Sequence, residues 1–462
     1  MPSGHPTAYV AGVETPRTKY VRSGGAYIAY QVVGSGPIDV LLLPHFFQHL
    51  ELWWEDPHRA SFTNRLAAMG RVIRFDKRGT GMSDRSAGVP PFDVQMDDVR
   101  AVLDAAGSER AVLWAGGDAT PMLALYAATF PSRTLGLILW DPAPTYLQKP
   151  DMPWLMSWDA LTEGIFQTAR ALEDPDGEDY RESLPSITSD DERRRFWRVS
   201  RLATSPGDQV AFTDVLRDTD VRHVLPTIRV PTLVLSKEAY AERLPNARYV
   251  ADAIPNARLV IVPGPDRSMF VGDSDPIFKE VSTFLDEVVA RPAEEPDRVL
   301  ATVLFTDIVD STARSVELGD AAWRDVLREH HRLVRRELAR FRGRELDTAG
   351  DGFFATFDGP ARAIRCATAI RDGVRELNLE IRAGLHAGEC ELLDDKVTGI
   401  AVALGARVAA LAGPGEVLVS STVRDLVAGS GLQFVDRGQA ELKGVPGEWH
   451  LYAVDGTPAG QI

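Results

Sequence analysis

Two stretches concentrate side chains that can do chemistry. The first is Phe305-Thr306-Asp307-Ile308-Val309-Asp310-Ser311-Thr312, and the second is Leu346-Asp347-Thr348-Ala349-Gly350-Asp351-Gly352-Phe353. Asp307 ends an apolar, β-rich run (Val299 to Phe305) and is expected at a strand's C-terminal end. Ser311 or Thr312 is expected to cap the helix that follows. Gly350-Asp351-Gly352 stands between two apolar runs, the pattern of a tight hairpin with Asp351 at its tip. Two carboxylates on neighbouring strands suit a hard divalent cation, which takes oxygen ligands and shares one or two carboxylates with substrate phosphates. A helix N-terminus aimed at the same place suits a phosphate. Taken singly, each acid also reads as an ordinary cap or turn residue.

The elements that must position these acids follow from periodicity. Ala321 to Phe341 is amphipathic, with Trp323, Val326, Leu327, Leu333, Val334, Leu338 and Phe341 on one face. Its adjacent His330 and His331 point in different directions. Ala361 to Leu377 reads as a second helix. Glu380 to Ala387, Glu416 to Ser420, Gln433 to Leu442 and His450 to Val454 read as strands. Upstream, strands at Tyr20–Val33, Ile38–Pro44, Arg71–Phe75, Ala111–Trp114, Leu135–Trp140, Pro231–Ser236 and Ala257–Val262 alternate with helical stretches, which predicts a mostly parallel sheet covered on both faces. Residues from about 145 to 227 carry tryptophans and charges at helical spacing and predict a helical cap.

Pro and acid punctuation at 291–297 predicts a linker too short for wide independent motion. The expected organisation is an arm at 1–17, a first domain at 18–290, that linker, and a second domain at 298–462. The chain has 462 residues, 44% of them hydrophobic and 25% charged, with a net charge of −15. It contains no basic tract, which argues against a nucleic-acid partner. Only Cys366 and Cys390 are present, without CxxC spacing, and both are expected as buried thiols. No apolar stretch is long enough for a transmembrane segment, and the first residues do not resemble a signal peptide, so a cytoplasmic location is expected.

The two acidic stretches resemble the metal-binding motifs of the class III nucleotide cyclases, the adenylyl and guanylyl cyclase family. The resemblance spans about Arg298 to Val454. It includes Gly399-Ile400-Ala401-Val402-Ala403-Leu404-Gly405-Ala406-Arg407, Gly413-Pro414-Gly415-Glu416-Val417-Leu418-Val419-Ser420-Ser421 and Glu441-Leu442-Lys443-Gly444. It implies an α+β cyclase domain that converts ATP to cyclic AMP and pyrophosphate with two Mg²⁺ or Mn²⁺ ions. Those ions would be held by Asp307, Asp351 and the Ile308 carbonyl. It also implies that Arg407 offsets charge on the reacting phosphorus and that Lys443 contacts the terminal phosphates. The family draws the acids and the arginine from opposite protomers, so a homodimer with two composite sites is implied. Two departures stand out. Ala403 occupies the place of a ribose-orienting asparagine, and the purine-reading lysine and aspartate map to Asp347 and Lys396 with their charges exchanged. GTP or a relaxed purine choice is therefore an alternative, as is a non-catalytic nucleotide-binding signalling module.

The first half resembles the α/β-hydrolase family over about Tyr20 to Val289. The loop Asp76-Lys77-Arg78-Gly79-Thr80-Gly81-Met82-Ser83 and the run Pro121 to Pro131 carry that resemblance. The family's chemistry needs a serine on a strand-to-helix elbow, with an acid and a histidine behind it. The matching positions here hold Gly117, Tyr240 and Arg267, so the implied role is regulatory or dimerising. The space under the cap could still take a small apolar ligand.

Overall fold

A computed structural model describes residues 15–44, 48–85, 88–171, 183–291, 297–393 and 396–455. Most of the expected arm, and residues 292–296 of the expected linker, lie outside these. The first sheet is built from β1 (Lys19–Ser23), β2 (Ala26–Val33), β3 (Asp39–Leu43), β4 (Arg71–Phe75), β5 (Ala111–Gly116), β6 (Thr134–Trp140), β7 (Thr232–Lys237) and β8 (Ala257–Val262). Their order is β1-β2-β4-β3-β5-β6-β7-β8. The β1–β2 and β2–β4 pairings are antiparallel and the remainder parallel. The central strands are apolar on both faces because helices cover both, as at Val112-Leu113-Trp114, which is fully buried. Helices Trp158–Ala171, Asp190–Ala203 and Pro206–Asp218 form the cap between β6 and β7. This is an α/β-hydrolase fold.

The second sheet is built from β9 (Arg298–Ile308), β10 (Arg344–Ala349), β11 (Gly352–Phe357), β12 (Ile381–Leu393), β13 (Lys396–Thr398), β14 (Val417–Ser420), β15 (Phe434–Glu441) and β16 (Glu448–Val454). Its order is β10-β11-β9-β12-β14-β16-β15, with β13 folded back on β12. The amphipathic helix runs from Asp320 to Arg340 and the next from Pro360 to Val374. The strand expected at 380–387 continues to Leu393, because β9 pairs with it from Ile308 back to Arg298.

Helix Ile400–Leu411 lies flush on β12 and β9. A Cβ on Gly384 would fall 2.0 Å from the Ala409 nitrogen, and one on Gly405 would fall 2.4 Å from Val303. Only glycine at these positions admits so close an approach. The approach buries Leu404 and Val408, worth roughly 1.5–3 kcal/mol each.

The halves share one apolar core. A single buried cluster includes Val99, Leu123 and Leu125 from the first half and Leu300, Ile364 and Val423 from the second. Helix Thr120–Thr129 packs directly on β9. Cys366 and Cys390 are free and buried, and burial pushes both thiols up to about 12. Among the described residues, no helix is long and apolar enough to cross a membrane.

Candidate active site

β9 ends at Asp307-Ile308. Strand alternation buries Ile308 and leaves the Asp307 side chain 39% exposed on the other face. Across β12, Arg382 stands opposite Asp307, and its Nη2 donates to Asp307 Oδ2 at 2.6 Å. Arg382 had no role in the sequence reading. The signal for it lay in the alternation of buried Ile381 and Ala383 around it, which turns Arg382 to the face that carries Asp307.

β10 and β11 form the expected hairpin, with Gly350-Asp351 as the two-residue turn. Gly350 adopts φ +63°, which suits glycine in the first central position. The Ile308 N–H donates to Asp351 Oδ2 at 3.0 Å, drawing Asp351 beside Asp307. The Asp351 carboxyl is pushed above the usual carboxylate range, first by burial and then by the negative charge of Asp307. His331 Nε2 contacts the Gly350 carbonyl at 2.9 Å and steadies the turn. His330 points into the interior, where burial lowers its imidazole to about 4.

The expected cap at Ser311 or Thr312 is not formed. Helix Ser311–Leu318 begins at Ser311 itself, and the capping position is Asp310 in the left-handed region at φ +53°, with no side-chain cap. The reason is tertiary. The Val309 N–H is bound to the Glu380 carbonyl at 2.9 Å, so the chain must turn sharply at Asp310 to leave β9. Ser311 and Thr312 thus lie in the first helical turn, next to N–H groups that the cap leaves available for an anion.

A cleft of about 290 Å³ opens beside these acids, lined by Asp307, Asp347, Arg382, Ala406 and the Phe305–Phe354 pair. The two rings stack at 4.5 Å and form an apolar floor. Asp347 is exposed at its rim, whereas Lys396 lies on β13 opposite Leu393, at the far end of β12 from Arg382. Helix Ile400–Leu411 turns Ala406, Ala409 and Ala410 to this cleft. Ala403 and Arg407 are exposed and are not among the residues that line the cleft, and Arg407 Nε donates to the Lys443 carbonyl at 3.1 Å. One chain therefore brings Asp307 with Asp351, and Arg407 with Lys443, as two separate groups. No cluster of three or more His, Cys, Asp or Glu side chains suited to a metal occurs among the described residues. Two adjacent carboxylates, whose repulsion the Arg382 guanidinium offsets only from the Asp307 side, fit a cation that completes its shell with substrate oxygens.

In the first half the elbow persists without its nucleophile. Gly117 follows β5 at φ +50°, and its carbonyl accepts from Thr120 Oγ1 at 2.7 Å. Burial raises the Tyr240 phenol, and the exposed Arg267 guanidinium lies 5.5 Å from the Tyr240 ring centre. Arg267 also pairs with Glu242 at 3.0 Å. The two positions behind the elbow are thus adjacent but hold a cation–π pair. Ser268, the other serine considered there, accepts the Phe270 N–H at 3.1 Å.

The family model described as the adenylate and guanylate cyclase catalytic domain matches residues 293–456, and that of the alpha/beta hydrolase fold matches 40–274. A putative adenylate cyclase of Rhizobium meliloti is 28% identical over 165 residues, which are 34% of this chain and 28% of that protein. The chain spans about a third or less of the length of the curated relatives it matches. Among solved structures, an adenylyl cyclase from P. aeruginosa is 24% identical, covers 35% of this chain and 96% of its own, and has a TM-score of 0.33. An esterase from Exiguobacterium antarcticum is 22% identical, covers 59% of this chain and all (100%) of its own, and has a TM-score of 0.49.

Proposed function

The chain belongs to the alpha/beta hydrolase fold family and carries an adenylate and guanylate cyclase catalytic domain, and on that premise we propose that it is a homodimeric nucleotide cyclase whose hydrolase half performs no hydrolysis. The preferred substrate is ATP, giving cyclic AMP and pyrophosphate. The observation that carries this reading is the Ile308 N–H holding Asp351 against Asp307, with the Asp351 carboxyl raised by burial and by its neighbour's charge. Arg382 meets Asp307 alone, and a cation shared by both carboxylates would offset the repulsion that Asp351 feels.

In the reaction the ribose 3′-oxygen forms a bond to its own α-phosphorus, the bond to the bridging oxygen breaks, and pyrophosphate leaves. Two Mg²⁺ or Mn²⁺ ions, when bound, favour loss of the 3′-hydroxyl proton and offset triphosphate charge. Asp307, Asp351 and the Ile308 carbonyl supply the oxygens that hold them. Arg382, which lines the cleft and donates to Asp307, would serve as a phosphate donor were that carboxylate shared with a cation. Arg407 from a second copy offsets charge at the phosphorus, and Lys443 from the same copy reaches the terminal phosphates. The N–H groups of Ser311 and Thr312 face the same anion. The exposure of Arg407, which bonds to the Lys443 carbonyl and to neither acid of its own chain, supports a site completed by two copies.

A second reading, a nucleotide-binding module without turnover, is favoured by Ala403, which offers a methyl group where the family orients the ribose.

Purified protein should form cyclic AMP from ATP in Mn²⁺, and Asp307→Ala should abolish it. Mixing Asp307→Ala with Arg407→Ala should restore about one quarter of the wild-type rate, since half the dimers are mixed and each has one intact site. Binding of ATP without product, by an intact dimer, would favour the second reading. An active wild type beside a mixture of the two variants that shows no restored activity would refute the composite site.

A further inference from the structure

The hairpin that carries Asp351 is held at its open end by the hydrolase half. Arg342 lies two residues before β10, and Asp358 directly follows β11. Both are engaged from helix Phe92–Ala105 of the first half. Asp97 accepts from Arg100 Nη2 at 2.9 Å and from Arg362 Nη2 at 2.7 Å. Arg100 Nη1 reaches Asp358 at 3.3 Å, and Arg362 also donates to Asp358. Two carboxylates and two guanidiniums thus close a ring across the halves, and Arg342 donates to Asp97 as a fifth member. The four ring side chains are between 9% and 27% exposed, so water screens them less than it screens surface pairs.

Two backbone facts, independent of the charges, mark the same place. Arg342 adopts φ +57°, a left-handed conformation just past the helix Asp320–Arg340, where glycine is the usual residue. A long charged residue in that conformation is strained, and its side chain is the one that crosses to Asp97. Gly359, beside Asp358, lies so near the first half that an added Cβ would fall 2.5 Å from the Asp93 Cβ. The contact is therefore seated by shape as well as by charge.

We propose that Asp97 and Arg100 are positioning residues for the cyclase site: through Arg342, Arg362 and Asp358 they fix the base of the β10–β11 hairpin and so the place of Asp351 beside β9. The hydrolase half is then a clamp on the metal-binding hairpin. Its consequence for catalysis rests on the cyclase reading, while the clamp itself does not.

The test is hydrogen exchange of the full-length protein with Asp97→Asn, beside Asp97→Glu as the conservative variant. Asp104→Asn, whose carboxylate pairs with Arg133 inside the first half, is the control. Amides of β10 and β11 should exchange about tenfold faster in Asp97→Asn, with recovery in Asp97→Glu and no change in the control. Half-saturating Mn²⁺ for cyclic nucleotide formation should rise roughly threefold to tenfold, while the nucleotide KM changes less. Should Asp97→Asn not fold, Arg342→Gly cuts the fifth tie while relieving the backbone, and the same acceleration is expected. Unchanged hairpin exchange, or acceleration spread evenly over both sheets, overturns the clamp. Selective acceleration in a wild-type background that converts no nucleotide sustains the clamp and removes the cyclase reading instead.

Discussion

Ala403→Asn should raise turnover. Ala403 lies one helical turn before Arg407 on the exposed surface of helix Ile400–Leu411, so a longer side chain meets solvent rather than core. Residues four apart on a helix are neighbours, about 5–6 Å between Cβ atoms, so an amide there stands beside the guanidinium that, on the composite-site proposal, acts on the partner's nucleotide. The structural cost is small: asparagine is less favourable than alanine in a helix by about 0.6 kcal/mol. The gain is one hydrogen bond to the ribose that orients the attacking oxygen. If that bond is worth about 1.4–2.7 kcal/mol in the transition state, the rate rises roughly tenfold to a hundredfold. The assay is initial rate against ATP concentration at saturating Mn²⁺, with kcat and KM resolved. A contact made mainly in the transition state lifts kcat and leaves KM nearly unchanged. A kcat within about twofold of wild type, in a variant still dimeric and of near wild-type stability, would refute the assignment of position 403.

Two predictions concern the first half. Gly117→Ser should leave p-nitrophenyl esters uncleaved above background and should lower stability by about 1–2 kcal/mol, because serine must take φ +50° and the positions matching the family's acid and histidine hold Tyr240 and Arg267; a burst of p-nitrophenolate would contradict the vacant reading. Asp141 is buried at the end of β6, accepts from Ser236, and is raised from 3.8 to about 7, chiefly by burial. The native state therefore keeps a proton that the unfolded chain gives up, so this group costs nothing below about pH 4 and progressively more up to about pH 7. Asp141→Asn, which keeps the acceptor and tolerates φ +44°, should stabilise by roughly 2–4 kcal/mol at pH 8 and by little at pH 4; an equal shift in Tm at both pH values would rule out the titration.

The alternation of apolar runs and punctuation was sufficient to read most strands of both sheets and the cap, because those signals are local, but not the extension of β12 beyond Ala387 or the short β13. The turn at Gly350-Asp351 and the elbow at Gly117 were legible for the same reason, since glycine marks the backbone conformations each needs. Arg382 was not legible. It meets Asp307 only through the β9–β12 register, a pairing 75 residues apart in sequence. The misplaced cap has the same origin: the preference of serine and threonine for capping positions is local, and the Val309–Glu380 bond overrides it. The tie from Asp97 to Arg342 and Arg362 was equally hidden, because each side chain alone reads as a solvated helix charge.

The apolar core shared by the two halves has a consequence for heat rather than chemistry. Helix Thr120–Thr129 and β9 bury side chains against each other, so neither half can melt without exposing oily surface on the other. Part of the apolar burial that keeps each half folded is held jointly, so the molecule should unfold as one cooperative unit. On that account a cut near the boundary expected at 291–297 should sever the chain and leave the fold standing.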